Sequence, residues 1–230
     1  MKKAYIVLGM HRSGTSLVSA ILSLLDIGIK GDIEGVKRKL SNPTIGEFEN
    51  VEIVKVNESI LKHFKSNWMS PYNMPKNWWE REECSPFKQA FKDAIISEFG
   101  DRDTIAYKDP RSSICYPLHV PILREMGYQA DGIFVKRDIN AIANSLELRN
   151  KIHKKIGFKI ANCYLDNIRK QYHDIPLFRI QYENILSDTE GELKRIVEHF
   201  NSDIDLEEFF EKVKDYIDPQ LNHYKNSLNE

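Results

Sequence analysis

The sequence predicts an α/β protein whose mainly parallel sheet lies between layers of helices on both faces. Three observations carry this. Short β-forming runs recur along the chain at Ala4–Leu8, Thr104–Tyr107, Asp131–Lys136 and Pro176–Ile180. Stretches with apolar residues at helical spacing separate them. The first run is unbroken, as in a strand covered on both faces. Strands that alternate with helices imply parallel pairing through crossover connections.

In chain order, Ala4–Leu8 is a buried strand ending at Gly9. Leu17, Val18, Ile21, Leu22 and Leu25 then form one stripe, with Ser16, Ser19 and Ser23 between them, which predicts an amphipathic helix. Ile27 to Gly46 is rich in turn residues and reads as a long loop. Asn50 is placed to cap a helix bearing Ile53, Val56, Ile60, Leu61 and Phe64. The stretch from Asn67 to Glu83 holds Trp68, Trp78, Trp79 and Tyr72, while Pro71 and Pro75 oppose regular structure. Its aromatics read first as packing anchors, and second as the wall of an acceptor pocket. Ser85-Pro86 starts a helix with Phe87, Ala90, Phe91, Ala94 and Ile95 on one face, and Gly100 stops it.

After the strand Thr104–Tyr107, the helical stretch that follows is expected to break at Pro117 and Pro121. Beyond the strand Asp131–Lys136, Asp138 caps a helix with Ile139, Ile142 and Leu146 inward. A further helix is predicted over 156–172 and a strand over 176–180. Two helices close the chain. One carries Leu193, Ile196, Val197 and Phe200; the other carries Leu206, Phe209, Phe210, Val213 and Ile217 and starts with an Asp205…Glu208 capping box. The tail after Pro219 is polar and is expected to fray.

The chain has 230 residues, 41% of them hydrophobic and 29% charged, which suits one globular domain. A net charge of −1 provides no bulk attraction for nucleic acid or a membrane surface, so any cationic site must be local. No apolar run approaches the ~20 residues of a membrane span. The start shows no signal-peptide pattern, so the chain reads as cytoplasmic. Cys84, Cys115 and Cys163 are three scattered residues without metal spacing, and are expected as free thiols.

The chemistry centres on Gly9-Met-His-Arg-Ser-Gly14-Thr-Ser16, between the first strand and its helix. A glycine-flanked turn that opens a helix aims backbone N–H groups and the helix dipole at one point, and so suits an anion. Gly9 and Gly14 have the spacing of the nucleoside-triphosphatase loop, but Thr15 stands where that pattern has lysine. The loop's cation is instead Arg12. Two more cationic clusters end predicted strands: Lys108-Asp-Pro-Arg111, and Arg137 with Ser145 eight residues on. In open parallel sheets the C-terminal strand ends are where ligands bind.

Arg12-Ser-Gly-Thr15 resembles the 5′-phosphosulfate loop of sulfotransferases that use 3′-phosphoadenosine-5′-phosphosulfate (PAPS). Phe134-Val-Lys-Arg137 with Ser145 is similar to their 3′-phosphate motif, and Tyr182-Glu-Asn-Ile-Leu186 to the segment after a late strand. Lys108-Asp-Pro resembles the same tripeptide in tyrosylprotein sulfotransferases and in bacterial sulfotransferase-like proteins, the group the loop, the Asn42–Asn50 stretch and Lys108–Arg111 resemble most. The likeness runs in order from about residue 4 to 200. It implies a P-loop NTPase-like three-layer fold, one sulfotransferase domain over 1–230, and an acceptor-side insertion over 27–103.

The resemblance further implies cosubstrate binding by Arg12, Ser13, Gly14, Thr15, Ser16, Arg137 and Ser145, with 3′-phosphoadenosine 5′-phosphate (PAP) as product and no metal. Lys108 would stabilise the leaving charge, Arg12 would assist, and Glu49 would deprotonate an acceptor hydroxyl, a glycan among the candidates. Glu47 is the rival base, and His11 is expected to shape the turn. Two features depart from the cytosolic aryl and steroid enzymes: the C-terminal basic glycine-rich loop and a matching catalytic histidine have no counterpart. A P-loop small-molecule kinase and a non-catalytic PAP-binding relative are the competing readings.

Overall fold

The computed structural model describes residues 1–29, 48–170, 175–214 and 217. Four strands, β1 (Lys2–Leu8), β2 (Thr104–Lys108), β3 (Tyr128–Lys136) and β4 (Leu177–Gln181), form one sheet in the order β2-β1-β3-β4. Every pairing is parallel, and Ala4 lies in register with Ile105 on one side and Ala130 on the other. The central position of β1 explains its unbroken apolar run. Ala4, Ile6 and Leu8 enter one core, and Tyr5 and Val7 enter the other.

The first core is covered by α2 (Val51–His63), α3 (Ser85–Phe99), α4 (Ser112–Glu125), α5 (Ile139–Asn150) and α6 (Lys154–Lys170). The second is covered by α1 (Thr15–Leu24), α7 (Tyr182–Ser187), α8 (Thr189–Phe200) and α9 (Leu206–Lys214). The architecture is therefore the expected three layers. Because all four strands run the same way, the segments after Leu8, Lys108, Lys136 and Gln181 emerge along one edge. Each of the three cationic motifs begins there.

Several local expectations needed correction. Pro117 and Pro121 lie inside α4 without breaking it. Ile114, Cys115, Tyr116, Leu118, Val120, Ile122 and Leu123 are all buried, and this burial outweighs the two missing backbone donors. Asn50 sits at the N-cap of α2, but its side chain donates to Glu98 (3.3 Å) rather than capping the helix. Ser85 is already helical, with Cys84 before it as N-cap and no side-chain cap bond. β3 begins three residues earlier than expected, at Tyr128, and α6 begins at Lys154.

Other expectations hold. Gly100 is the C-cap of α3 at φ 59°. Asp138 accepts from the Ala141 amide (2.9 Å), and Asp205 from the Glu208 amide (2.9 Å). Cys84, Cys115 and Cys163 are free thiols. The expected loop over 30–47, including Glu47, and the tail after Pro219 lie outside the described residues. Among the described residues, no helix is long and apolar enough to cross a membrane.

Candidate active site

The turn after β1 is built for close approach. Gly9 and Gly14 have φ of 157° and 92°. A Cβ at Gly14 would strike the Tyr182 ring; one at Gly9 would lie 2.6 Å from Ser13 Oγ and 2.9 Å from the Val135 carbonyl. Ser113 of α4 pins the turn to the neighbouring strand end: its hydroxyl accepts from the Gly9 amide (2.9 Å) and donates to the Gly9 carbonyl (3.1 Å). Gly14 is the N-cap of α1, with Thr15 buried and Ser16 half-buried in the first turn. The first amides of any helix have no acceptor within it, so those of α1 face the turn.

Arg137 and Ser145 come to the same place. Arg12 Nε donates to Ser145 Oγ (2.9 Å), and Arg137 Nη1 donates to the Arg12 carbonyl (2.8 Å). The Arg137 guanidinium lies 4.4 Å from the centre of the Tyr182 ring. Asp138 caps α5, which orients the helix so that Ser145 turns back towards the loop. Two buried polar atoms here, Ser13 Oγ and Arg137 Nε, have no hydrogen-bond partner. Such atoms are destabilising unless something else supplies the partner.

Lys108 ends β2, and Glu49 forms an isolated parallel bridge with it. That register sets their side chains together: Lys108 Nζ lies 2.8 Å from Glu49 Oε1, and both side chains are about 95% buried, at 3% and 5% exposure. Arg111 Nη2 reaches the other oxygen, Oε2, at 3.3 Å. Arg111 is itself held by Asp109, through its backbone amide (3.0 Å) and its Nε (3.1 Å). Burial raises the Asp109 pKa, with the Arg111 charge opposing that rise.

Behind Asp109 runs a buried chain of hydrogen bonds. Asn57 Nδ2 donates to Asp109 (2.8 Å) and reaches Ser112 Oγ (3.1 Å). With its amide nitrogen so engaged, Asn57 presents Oδ1 to His119 Nε2 at 2.9 Å. His119 must then carry its proton on Nε2, and its Nδ1 accepts from the Tyr107 hydroxyl (3.1 Å). Burial lowers the His119 pKa to about 3, so the ring is neutral. Phe91 stacks on it at 3.9 Å, nearly parallel.

His11 lies between these groups. Its ring centre is 4.6 Å from that of Trp68 and 6.2 Å from that of Tyr164, whose hydroxyl donates to the Trp68 carbonyl (3.1 Å). Trp78 is buried and Trp79 packs on the same core, so the aromatic stretch mostly anchors packing, while Trp68 also borders this site.

The structure thus brings together Arg12, Ser13, Gly14, Thr15, Ser16, Arg137 and Ser145 at the loop, and Lys108 with Glu49 at the next strand end. Sequence reasoning missed the ties of Arg111 to Glu49 and Asp109, and the Asn57–His119–Tyr107 support. Arg111 carried a signal, as a cation at a strand end. Asn57 and His119 did not, because 62 residues separate these bonded partners. The groups present fit an anionic nucleotide: two cations, a hydroxyl, a glycine cradle, and buried polar atoms lacking partners.

A family model described as the sulfotransferase family matches residues 5–206. No curated protein matches the chain. Among solved structures, it is similar to the sulfotransferase domain from the curacin biosynthetic pathway, with 13% identity and a TM-score of 0.51, over 89% of this chain and 76% of that one. It is also similar to the sulfotransferase STF9 from Mycobacterium avium, with 13% identity and a TM-score of 0.53, over 94% and 68%. At such identities these likenesses speak for the fold alone.

Proposed function

The chain belongs to the sulfotransferase family, and from that premise we propose that it moves the sulfuryl group of PAPS to an acceptor hydroxyl. One observation carries the reading. Arg12, Arg137 and Ser145 converge on a glycine-cradled turn in which Ser13 Oγ and Arg137 Nε are buried without partners. An arginine fork with a hydroxyl suits a phosphate monoester, and the amides opening α1 suit the 5′-phosphosulfate.

In the reaction, the acceptor oxygen bonds to sulfur. The bond from sulfur to the bridging oxygen breaks, and its electron pair stays on the 5′-phosphate of PAP. Lys108 supports that developing charge in a largely water-free setting. Glu49 takes the acceptor's proton. Its oxygens touch Lys108 and Arg111 in the structure, so the arriving hydroxyl must displace one of these contacts. Asp109 and Asn57 hold Arg111 in place throughout. The segment over 27–103, which supplies Glu49 and Trp68, is the acceptor side. A glycan hydroxyl fits a wall of this kind, because flat aromatics stack on sugar rings.

The test measures PAP release from PAPS against a panel of glycan, phenol and peptide hydroxyls. Release should depend on the acceptor. Lys108→Ala and Glu49→Gln should each slow it about 100-fold or more, the scale of lost charge stabilisation or proton transfer. Calorimetry should find PAP affinity within a few-fold of wild type in both. Full turnover in Glu49→Gln overturns its role as base. A Lys108 variant that changes only KM makes that residue a binding group.

A further inference from the structure

His11 sits inside the phosphate-binding turn, yet the reaction above gives its ring no task. Its Nε2 is buried and has no hydrogen-bond partner. Trp68 and Tyr164 wall the ring on the acceptor side, and the charged groups that act on it come from three elements: Arg12 from the turn, Lys108 and Arg111 from the end of β2, and Arg149 from α5. Burial, then these four cations, push its pKa well below the usual 6.5, so the ring is neutral. Conversion to imidazolium would place a fifth positive charge among four, which argues against His11 as the base.

A buried ring nitrogen kept without a partner is destabilising unless a ligand completes it. The loop cation lies on one side of His11 and the strand-end cations on the other. In the PAPS reading, on which this inference rests, the group between those cations is the sulfonate. Its oxygens only accept hydrogen bonds, so the nitrogen that meets them must donate.

The geometry points to His11 as a catalytic residue that donates a hydrogen bond from Nε2–H to a non-bridging oxygen of the transferring sulfonate. It keeps that proton while the sulfur–oxygen bonds exchange and Glu49 receives the acceptor's proton. A fixed neutral donor of this kind stabilises charge on the transferring group without solvent reorganisation.

PAP lacks the sulfonate, so the PAPS-to-PAP affinity ratio, measured by calorimetry without acceptor, reads the contact directly. His11→Gln keeps an amide N–H near the reach of Nε2, whereas His11→Asn places it nearer Nδ1. PAP affinity should stay within about two-fold in both. The ratio should fall about five-fold in His11→Asn, the weight of one neutral hydrogen bond, and less in His11→Gln, with turnover following the same order. Nitrogen NMR of the wild type should show the His11 ring neutral, with its proton on Nε2, from pH 5 to 9. An unmoved ratio in His11→Asn, equal losses of PAP and PAPS binding in both variants, or a proton on Nδ1 would overturn the role. Wild-type protein that fails to bind PAP overturns the cosubstrate reading, and this role with it.

Discussion

At the scale of single residues, the site is two cationic clusters with different supports. Lys108 and Arg111 share one carboxylate, Glu49, and Arg111 is steadied from behind by Asp109, Asn57, His119 and Tyr107. That chain has a direction, because Asn57 has one donor end and one acceptor end. It also has a pH signature. The folded His119 ring has a pKa of about 3, against 6.5 ordinarily. Between those values the unfolded chain binds a proton that the folded one refuses, so stability must fall as pH falls from 6.5 towards 3. At about 1.4 kcal/mol per unit, the loss by pH 4.5 is about 2–3 kcal/mol, and the lowered pKa of His11 acts in the same direction. His119→Gln keeps a donor for Asn57 but has nothing to titrate. Its urea-unfolding stability should therefore drop less than that of wild type between pH 6.5 and 4.5, and equal drops contradict this account. Lys108, Arg12 and Arg137 were legible in the sequence, since each follows a β-type run. His119 was not: it lies in a helix full of apolar residues, and its partner comes from α2.

At the scale of elements, the turn from β1 to α1 depends on Gly14. Its φ of 92° disfavours any side chain, and the Tyr182 ring occupies the space a Cβ would need. Gly14→Ala should push Tyr182 off Arg137 and weaken PAP binding about ten-fold or more, since left-handed strain alone is about 1–2 kcal/mol. Gly100→Ala is the control. It also has positive φ, but open space surrounds it at the far end of α3, so it should lose some stability and no PAP affinity. Calorimetry on both variants reads the difference, and unchanged PAP binding in Gly14→Ala contradicts the packing argument. The turn itself was readable from its glycines. The first-turn details were not, because tertiary partners decide them: Glu98 draws the Asn50 side chain away from its cap, and burial carries α4 through two prolines.

At the scale of the whole molecule, the alternation of strands and helices was enough to give three layers, because each apolar run is too short for anything but a strand. The strand order β2-β1-β3-β4 was not readable, yet it decides the site. With β1 between β2 and β3, the turn after Leu8 lies between Lys108 on one side and Arg137 on the other. A phosphosulfate held by the turn then reaches Lys108, and a 3′-phosphate reaches Arg137. The central claim is that this edge reads PAP, and the most direct measurement compares PAP with 5′-AMP, which differs only in lacking the 3′-phosphate. By titration calorimetry the wild type should bind PAP at least about ten-fold more tightly, the weight of one charge-assisted contact. Arg137→Ala should erase most of that preference, and Ser145→Ala part of it. Equal affinities of the wild-type protein for PAP and 5′-AMP would contradict the account.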